Sequence, residues 1–247
     1  MDPLTIAAAG GLRSRMESLD LLANNLANAA TNGYKNDREF YGLYASADSI
    51  NPDTGGASTL LPVVEKQWTD FSQGVLQTTG NPLDVALSGK GFLVVKGQTG
   101  PLYTRNGSLQ VSASGELING DGFALTGVDG KSLKVAPGKP VEIQNDGTIS
   151  QEGQSIGRLQ IVDFKSTDVL RKAAKTCFQN PDAANKPIPA AATQILQGRI
   201  ENSNVSVAES AMRLVGIMRQ FEMLQKAIGI SGEMHSKTIQ EVARISP

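Results

Sequence analysis

The chain has one cysteine, one histidine and one tryptophan among 247 residues, and aromatic residues make up only 5 %. Cys177 has no partner of its own for a disulfide, so no oxidative staple contributes to the fold, and it reads as a small buried or half-buried hydrophobe. Catalytic triads and metal centres need several donors converging from separate elements, which one His and one Cys do not supply. Charge of one sign is also missing: 23 basic and 24 acidic residues give a net charge of −1. With the two signs interspersed, there is no electrostatic footprint for nucleic acid or an anionic membrane. No apolar run approaches the roughly 18 residues of a membrane span. The opening MDPLTIAAAGG passes into polar RSRMESLD without the basic region, apolar block and cleavage site of a secretory signal. We expect no cofactor, no metal, no catalytic residue, no nucleic-acid partner and no membrane insertion.

What the chain does have is glycine, 26 residues of it, set among Asn/Asp turns and short apolar runs. From near Gly74, short strands follow one another: Leu83–Leu87, Phe92–Val95, Leu102–Arg105, Leu109–Val111, Glu116–Ile118 and Phe123–Thr126. The series continues through Leu133–Val135, Val141–Ile143 and Thr148–Ser150 to Arg158–Phe164, the most apolar run and the expected central strand. Turn signals every 8–12 residues point to a sandwich or barrel-like β domain. Pro181, Pro187 and Pro189 then exclude regular helix and central strand, and Gln194–Arg199 is a last strand candidate. Residues 30–61 (with NG, NPD and GG) read as an extended linker, and Val63–Gln67 as a strand leading to Trp68.

Helical periodicity marks both ends. Pro3 to Asn28 carries Leu12, Met16, Leu19, Leu22 and Leu26 within an arc of about 120°, which predicts a core-facing stripe. Asp2 is placed to cap this helix, with Pro3 in its first turn. Asn24, Asn25 and Asn28 are poor helix formers, so packing or specific amide contacts must hold that end. The last helix runs to about Val242 with Ser203 or Asn204 as N-cap, and Gly229 and Gly232 mark a weak point. Val207, Leu214, Ile217, Met218, Phe221, Leu224 and Ile228 share one face. Leu214, Phe221 and Ile228 repeat every seven residues, as do Ile217 and Leu224, the spacing of a coiled-coil seam. Val205, Met212, Met223 and Ile230 lie nearly opposite, and a second apolar stripe flanked by charges implies a second neighbour. The expected fold class is α+β: N- and C-terminal helices paired in a coiled-coil-like core, with an inserted antiparallel β-rich domain. The expected boundaries are 1–75, 76–165 and 166–247.

Several local patterns reduce to turns. Asp129–Ser132 ends like a phosphate-binding loop, but Leu125 stands where that pattern requires glycine; Leu125 likewise defeats a dinucleotide pattern from Gly120. Asn145–Asp146–Gly147 lacks the spaced acids of a calcium loop. His235 reads as a solvated or interface residue, Asn106–Ser108 and Asn204–Ser206 as weak glycosylation matches, and Lys165–Lys175 as a solvated face.

Three segments, taken as a set, resemble the bacterial flagellar basal-body rod proteins, an axial family that also includes the hook. They are LANNLANAATNGYK (residues 22–35), GNPLDVALSGKGFLVV through GDGFAL (80–125) and ENSNVSVAESAMRLVGIMRQFEMLQKAI (201–228). Asn32 departs from the Pro or Thr that many relatives carry, and Gly33 keeps the turn. The length favours rod over hook, and the YTRNGSL and GRLQIVDF stretches look closer to the proximal (FlgF) type than to the distal (FlgG) type. The resemblance implies a subunit that polymerises into a hollow, periplasm-spanning shaft, transmits torque and passes export substrates. It also implies export without a cleaved signal, with neighbouring rod subunits and the flagellar export apparatus as partners. A periplasmic β-domain binding module or enzyme and a phage-tail-like tube protein are the alternatives. The residues assigned to assembly are Leu12, Met16, Leu19, Leu22, Asn24, Asn25, Leu26 and Asn28 near the start. Near the end they are Asn204, Val205, Met212, Leu214, Ile217, Phe221, Met223, Leu224 and Ile228.

Overall fold

The computed structural model describes residues 3–45 and 60–245. They divide into two compact units: residues 3–27 with 37–45, 60–68 and 206–245, and residues 28–36 with 69–205.

The first unit holds helix α1 (Pro3–Ala27), a two-stranded sheet of β1 (Asp37–Ala45) and β2 (Leu60–Thr69, its last residue in the second unit), and helix α2 (Val207–Ile245). Pro3 sits in the first turn of α1, where its missing N–H costs nothing; Asp2 lies outside the described residues. Ser206, not Ser203 or Asn204, caps α2: its Oγ accepts the Glu209 N–H and its carbonyl the Ser210 N–H. The helix continues through Gly229 and Gly232 without a break. Part of the expected linker is strand, since Asp37–Ala45 pairs with β2; residues 46–59 lie outside the described residues.

The coiled-coil-like core expected of the two helices is not formed. Most of the chain's regular elements are strands in several antiparallel sheets, with one helix near each end. The reason lies in α1. Among the residues whose burial is described, its buried positions are Gly11, Ser14, Ser18, Leu21, Leu22 and Asn25, a face of mostly small and polar residues that shares only Leu22 with the expected leucine stripe. Leu12, Leu19 and Leu26 are half-buried, and Met16 is 56 % exposed. Gly11 lies beside Leu224 of α2. On α2 the heptad residues Leu214, Phe221, Leu224 and Ile228 are only half-buried, while Ile217 is buried. Knobs-into-holes packing needs apolar knobs from both helices, and α1 presents glycine and serine instead.

The second unit carries the chain's main core. Its strands run β3 (Leu76–Thr78), β4 (Val85–Ser88), β5 (Phe92–Lys96), β6 (Pro101–Thr104), β7 (Leu109–Val111), β8 (Leu117–Asn119), β9 (Ala124–Leu125) and β10 (Glu142–Ile143). They continue as β11 (Thr148–Gln151), β12 (Gln154–Arg158), β13 (Ile161–Asp163), β14 (Arg171–Lys172), β15 (Cys177–Gln179), β16 (Ile188–Pro189), β17 (Gln194–Gln197) and β18 (Arg199–Glu201). Nine of them form one sheet along the path β14–β15–β6–β5–β9–β8–β7, with β13 and β16 branching from β5. A three-stranded sheet (β10–β11–β12) and two pairs, β17–β4 and β18–β3, complete the unit.

Strand β5 is the hub, with β6, β9 and β13 all paired to it. Leu93 and Val95 point into one core cluster with Val85, Leu87, Leu117 and Ile149. Phe92 and Val94 point into another with Tyr103, Phe164 and Phe178. Burial on both faces explains why FLVV reads as a continuous apolar run. The Arg158–Phe164 run is not the central strand: it divides at Leu159–Gln160, whose N–H groups turn to Gly147 and Thr126. Pro189 lies in β16, which pairs only with β13, as its missing donor requires.

Candidate functional site

The polar centre of the second unit is assembled from three segments far apart in sequence. After α1, Thr31 donates its N–H to the Asn28 carbonyl and its hydroxyl to Asn28 Oδ1 at 3.2 Å, and the Tyr34 N–H returns to Thr31. Gly33 completes this turn at φ 69°, a conformation that glycine enters without steric cost. A side chain there would also strike backbone, since a Cβ would stand 2.4 Å from the Asn106 nitrogen. The turn delivers Lys35, whose side chain is fully buried, to Glu201 Oε1 at 2.6 Å. The other carboxylate oxygen accepts from Arg105 at 3.2 Å, and the Gly74 N–H adds a bond to Oε1. Lys35 also donates to the Ser72 carbonyl, and Arg105 to the Gly89 carbonyl while lying over the Phe92 ring. Close by, Asn204 Oδ1 accepts the Asn36 N–H and its amide donates to the Asp70 and Ser72 carbonyls.

Two cations share one buried carboxylate. Burial lowers the pKa of Lys35, with the Glu201 charge pulling the other way, and lowers that of Arg105 for the same reason. Taking such charges out of water is costly unless they are paired and their remaining hydrogen-bonding positions filled. Here the pairing specifies which segments meet. The turn after α1, the stretch before β3 and the stretch before α2 are held by Glu201 and Asn204 together.

The structure places the other expected residues as follows. Asn25 is buried and clamps the start of β1, donating to the Asp37 carbonyl and accepting the Asp37 N–H. Asn24 is exposed, Asn28 forms the turn, and Val205 is buried. On α2, Met212 (71 % exposed) and Met223 (62 %) fall on one line with Ile230 (58 %) and Met234 (60 %). The chemistry-like patterns are turns: Asp129 Oδ1 accepts the Lys131 N–H, and Asp146 Oδ1 the Thr148 N–H. Cys177 is fully buried, and burial together with nearby Asp121 pushes its thiol up to about 11, far from a reactive thiolate. The His235 side chain lies outside the described residues. Lys35, Arg105 and Glu201 were within the quoted motifs but not among the assigned residues. The signal for Arg105 and Glu201 was a charge set in or beside apolar strand residues, in YTRNG and RIENS.

A closed β unit joined to helices that keep apolar faces exposed defines a subunit built for assembly. Residues 86–151 match the family described as flagellar hook protein FlgE/F/G D1 domain, and residues 196–241 the one described as flagellar basal body rod FlgEFG protein C-terminal. The basal-body rod protein FlgG of Buchnera aphidicola (subsp. Schizaphis graminum) is 30 % identical over 93 % of this chain and 96 % of its own length. FlgF of Salmonella typhimurium is 30 % identical over 92 % of this chain and 93 % of its own, and FlgF of Caulobacter vibrioides 28 % over 92 % and 93 %. The chain therefore belongs to the flagellar basal-body rod protein family and is a structural subunit of the rod. These identities do not separate the proximal from the distal type.

Proposed function

We propose that this subunit builds the rod through the exposed apolar faces of its helices, and that its role is mechanical, not catalytic. Stacked subunits form a hollow shaft that spans the periplasm, transmits torque and passes export substrates. The partners are neighbouring rod subunits and other axial proteins, reached after export by the flagellar apparatus without a cleaved signal. The observation that carries this reading is the row Met212–Met223–Ile230, each more than half exposed on one side of α2. An apolar row aligned along one side of a helix marks a protein–protein interaction face. On α1 the exposed Met16, with half-buried Leu12 and Leu19 beside it and Asn24 exposed further along, is assigned to the same role. Asn25, Asn28, Asn204 and Val205 set the helix ends from which these faces project. Leu22, Leu26, Leu214, Ile217, Phe221, Leu224 and Ile228 are assigned to the same interface on their less exposed sides.

Met223→Asp tests the reading. The side chain is 62 % exposed, so far-UV circular dichroism should be unchanged and urea stability of the purified chain should stay within about 0.5 kcal/mol of wild type. Motility and rods seen by imaging of basal bodies should be lost. Cells that swim and carry normal rods with Met223→Asp would make that face ordinary surface.

A further inference from the structure

We infer that Glu201 and Asn204 form a latch, and that its release opens the three connecting segments together while the sheets of the β unit stay folded. These segments are residues 28–36, 69–78 and 199–205, through which the chain runs on to α1, β1, β2 and α2. They depend on the same two side chains. Glu201 binds Lys35, Arg105 and the Gly74 N–H, and its carbonyl accepts the Gly33 N–H at 2.7 Å. Asn204 binds Asn36, Asp70 and Ser72. Two backbone bonds, Asp70 N–H to the Asn36 carbonyl and Asn202 N–H to the Val75 carbonyl, close the ring of contacts. No one segment can leave without breaking the bonds of another.

The latch is also separable from what lies behind it. Strands β3 and β18 pair only with each other and belong to neither larger sheet. Leu76 and Ile200 are only half-buried, and neither belongs to an apolar core cluster. The sheets rest instead on the two apolar clusters around β5, with no contribution from residues 28–36 or 199–205. What holds the latch shut is thus mainly ionic and polar, with Phe71 edge-on to Phe92 and Phe178 as the apolar anchor of the middle segment and Tyr34 buried in the first, and what holds the sheets is apolar. Glu201 is the keystone, because it is the carboxylate bonded to both buried cations, and without its charge they repel each other with only the more distant Asp70 and Asp163 to offset them.

Native-state hydrogen exchange on the full chain tests this. In Glu201→Gln the amides of Gly33, Asn36, Asp70, Gly74 and Asn202 should exchange about 100-fold faster as one group. Those of Val85, Val94 and Leu117, bonded to Gly107, Gln160 and Leu133, should stay within about threefold of wild type. Asn204→Ala, which removes no charge, should accelerate the same group to a smaller extent, and it carries the test if Glu201→Gln does not fold. Acceleration of all amides alike would make the unit a single cooperative block and overturn the latch. Acceleration confined to each variant's own hydrogen-bond partners would reduce it to local fraying and overturn it equally.

Discussion

Gly33→Ala should be among the most damaging single-methyl additions in the chain. Its φ of 69° lies in the left-handed region, where an L-residue with a Cβ loses about 1–2 kcal/mol. The new methyl would also stand 2.4 Å from the Asn106 nitrogen, 2.5 Å from the Arg105 carbonyl carbon and 2.6 Å from the Asn106 Cα. Relief requires one backbone to retreat by about 1 Å, against a carbon contact distance of about 3.5 Å. Neither is free to do so. The Gly33 N–H is bound to the Glu201 carbonyl, and Arg105 is held by Glu201 and the Gly89 carbonyl. Overpacking of this kind adds about 1–3 kcal/mol, for a total of about 2–5 kcal/mol, a large part of the stability of a typical domain. Gly80→Ala is the matched control: its φ is 73° and nothing lies within 4 Å of the added methyl. Only backbone strain acts there, about 1 kcal/mol. Urea unfolding of both variants, followed by circular dichroism, measures the difference. A gap below about 0.5 kcal/mol would refute the close approach of the turn to residues 105–106.

Phe178→Ala should cost about 3–5 kcal/mol in the same assay, because the ring is fully buried and edge-on to Phe71 and Phe92. Cys177, buried with a thiol pushed up to about 11, should react with a disulfide reagent at pH 8 at least about 100-fold more slowly in the native chain than in urea; equal rates would place it at the surface. Burial lowers the pKa of Lys35 below the usual 10.5, so between its folded value and 10.5 the unfolded chain binds the proton that the folded chain gives up. The stability attributable to Lys35 therefore rises with pH across that window, and the wild type should gain on Lys35→Met as the pH of urea titrations is raised toward 10.5. A constant difference would show that the lysine keeps its ordinary value.

The strands around β5 were legible because alternation and turn residues are local signals. Asp129–Gly130 and Asp146–Gly147 declare their turns through side chains that bond two residues ahead. What was not legible depended on partners. The helical wheel of α1 ranks residues by hydrophobicity and so selects Leu12, Met16 and Leu19. A helix brought close to its neighbour buries small residues, and Gly11, Ser14 and Ser18 were on the other side of the wheel. The heptad on α2 was real as spacing, but a seam also needs matching knobs opposite it. The Lys35–Glu201 pair spans 166 positions, and no local pattern carries such a contact. Strand β1 was hidden in a stretch read as linker, because its pairing partner β2 begins only at Leu60.

The β unit and the helices differ in how far each satisfies itself. In the β unit the apolar side chains close over one another, and the buried charges of Lys35, Arg105 and Glu201 pair with each other. Among the described residues, Met212, Met223 and Ile230 on α2 stay more than half exposed. Covering what is still exposed of them would release about 1–2 kcal/mol each, or about 3–6 kcal/mol together. Association costs about 4–15 kcal/mol in lost translational and rotational freedom. A single helix contact is therefore at best near balance and does not hold two subunits together. A position with several neighbours at once pays the loss of freedom once and gains each contact. Under the proposed role, subunits stay apart when free and hold firmly once seated, because the stripe is wide enough to reward assembly yet too small to support a dimer.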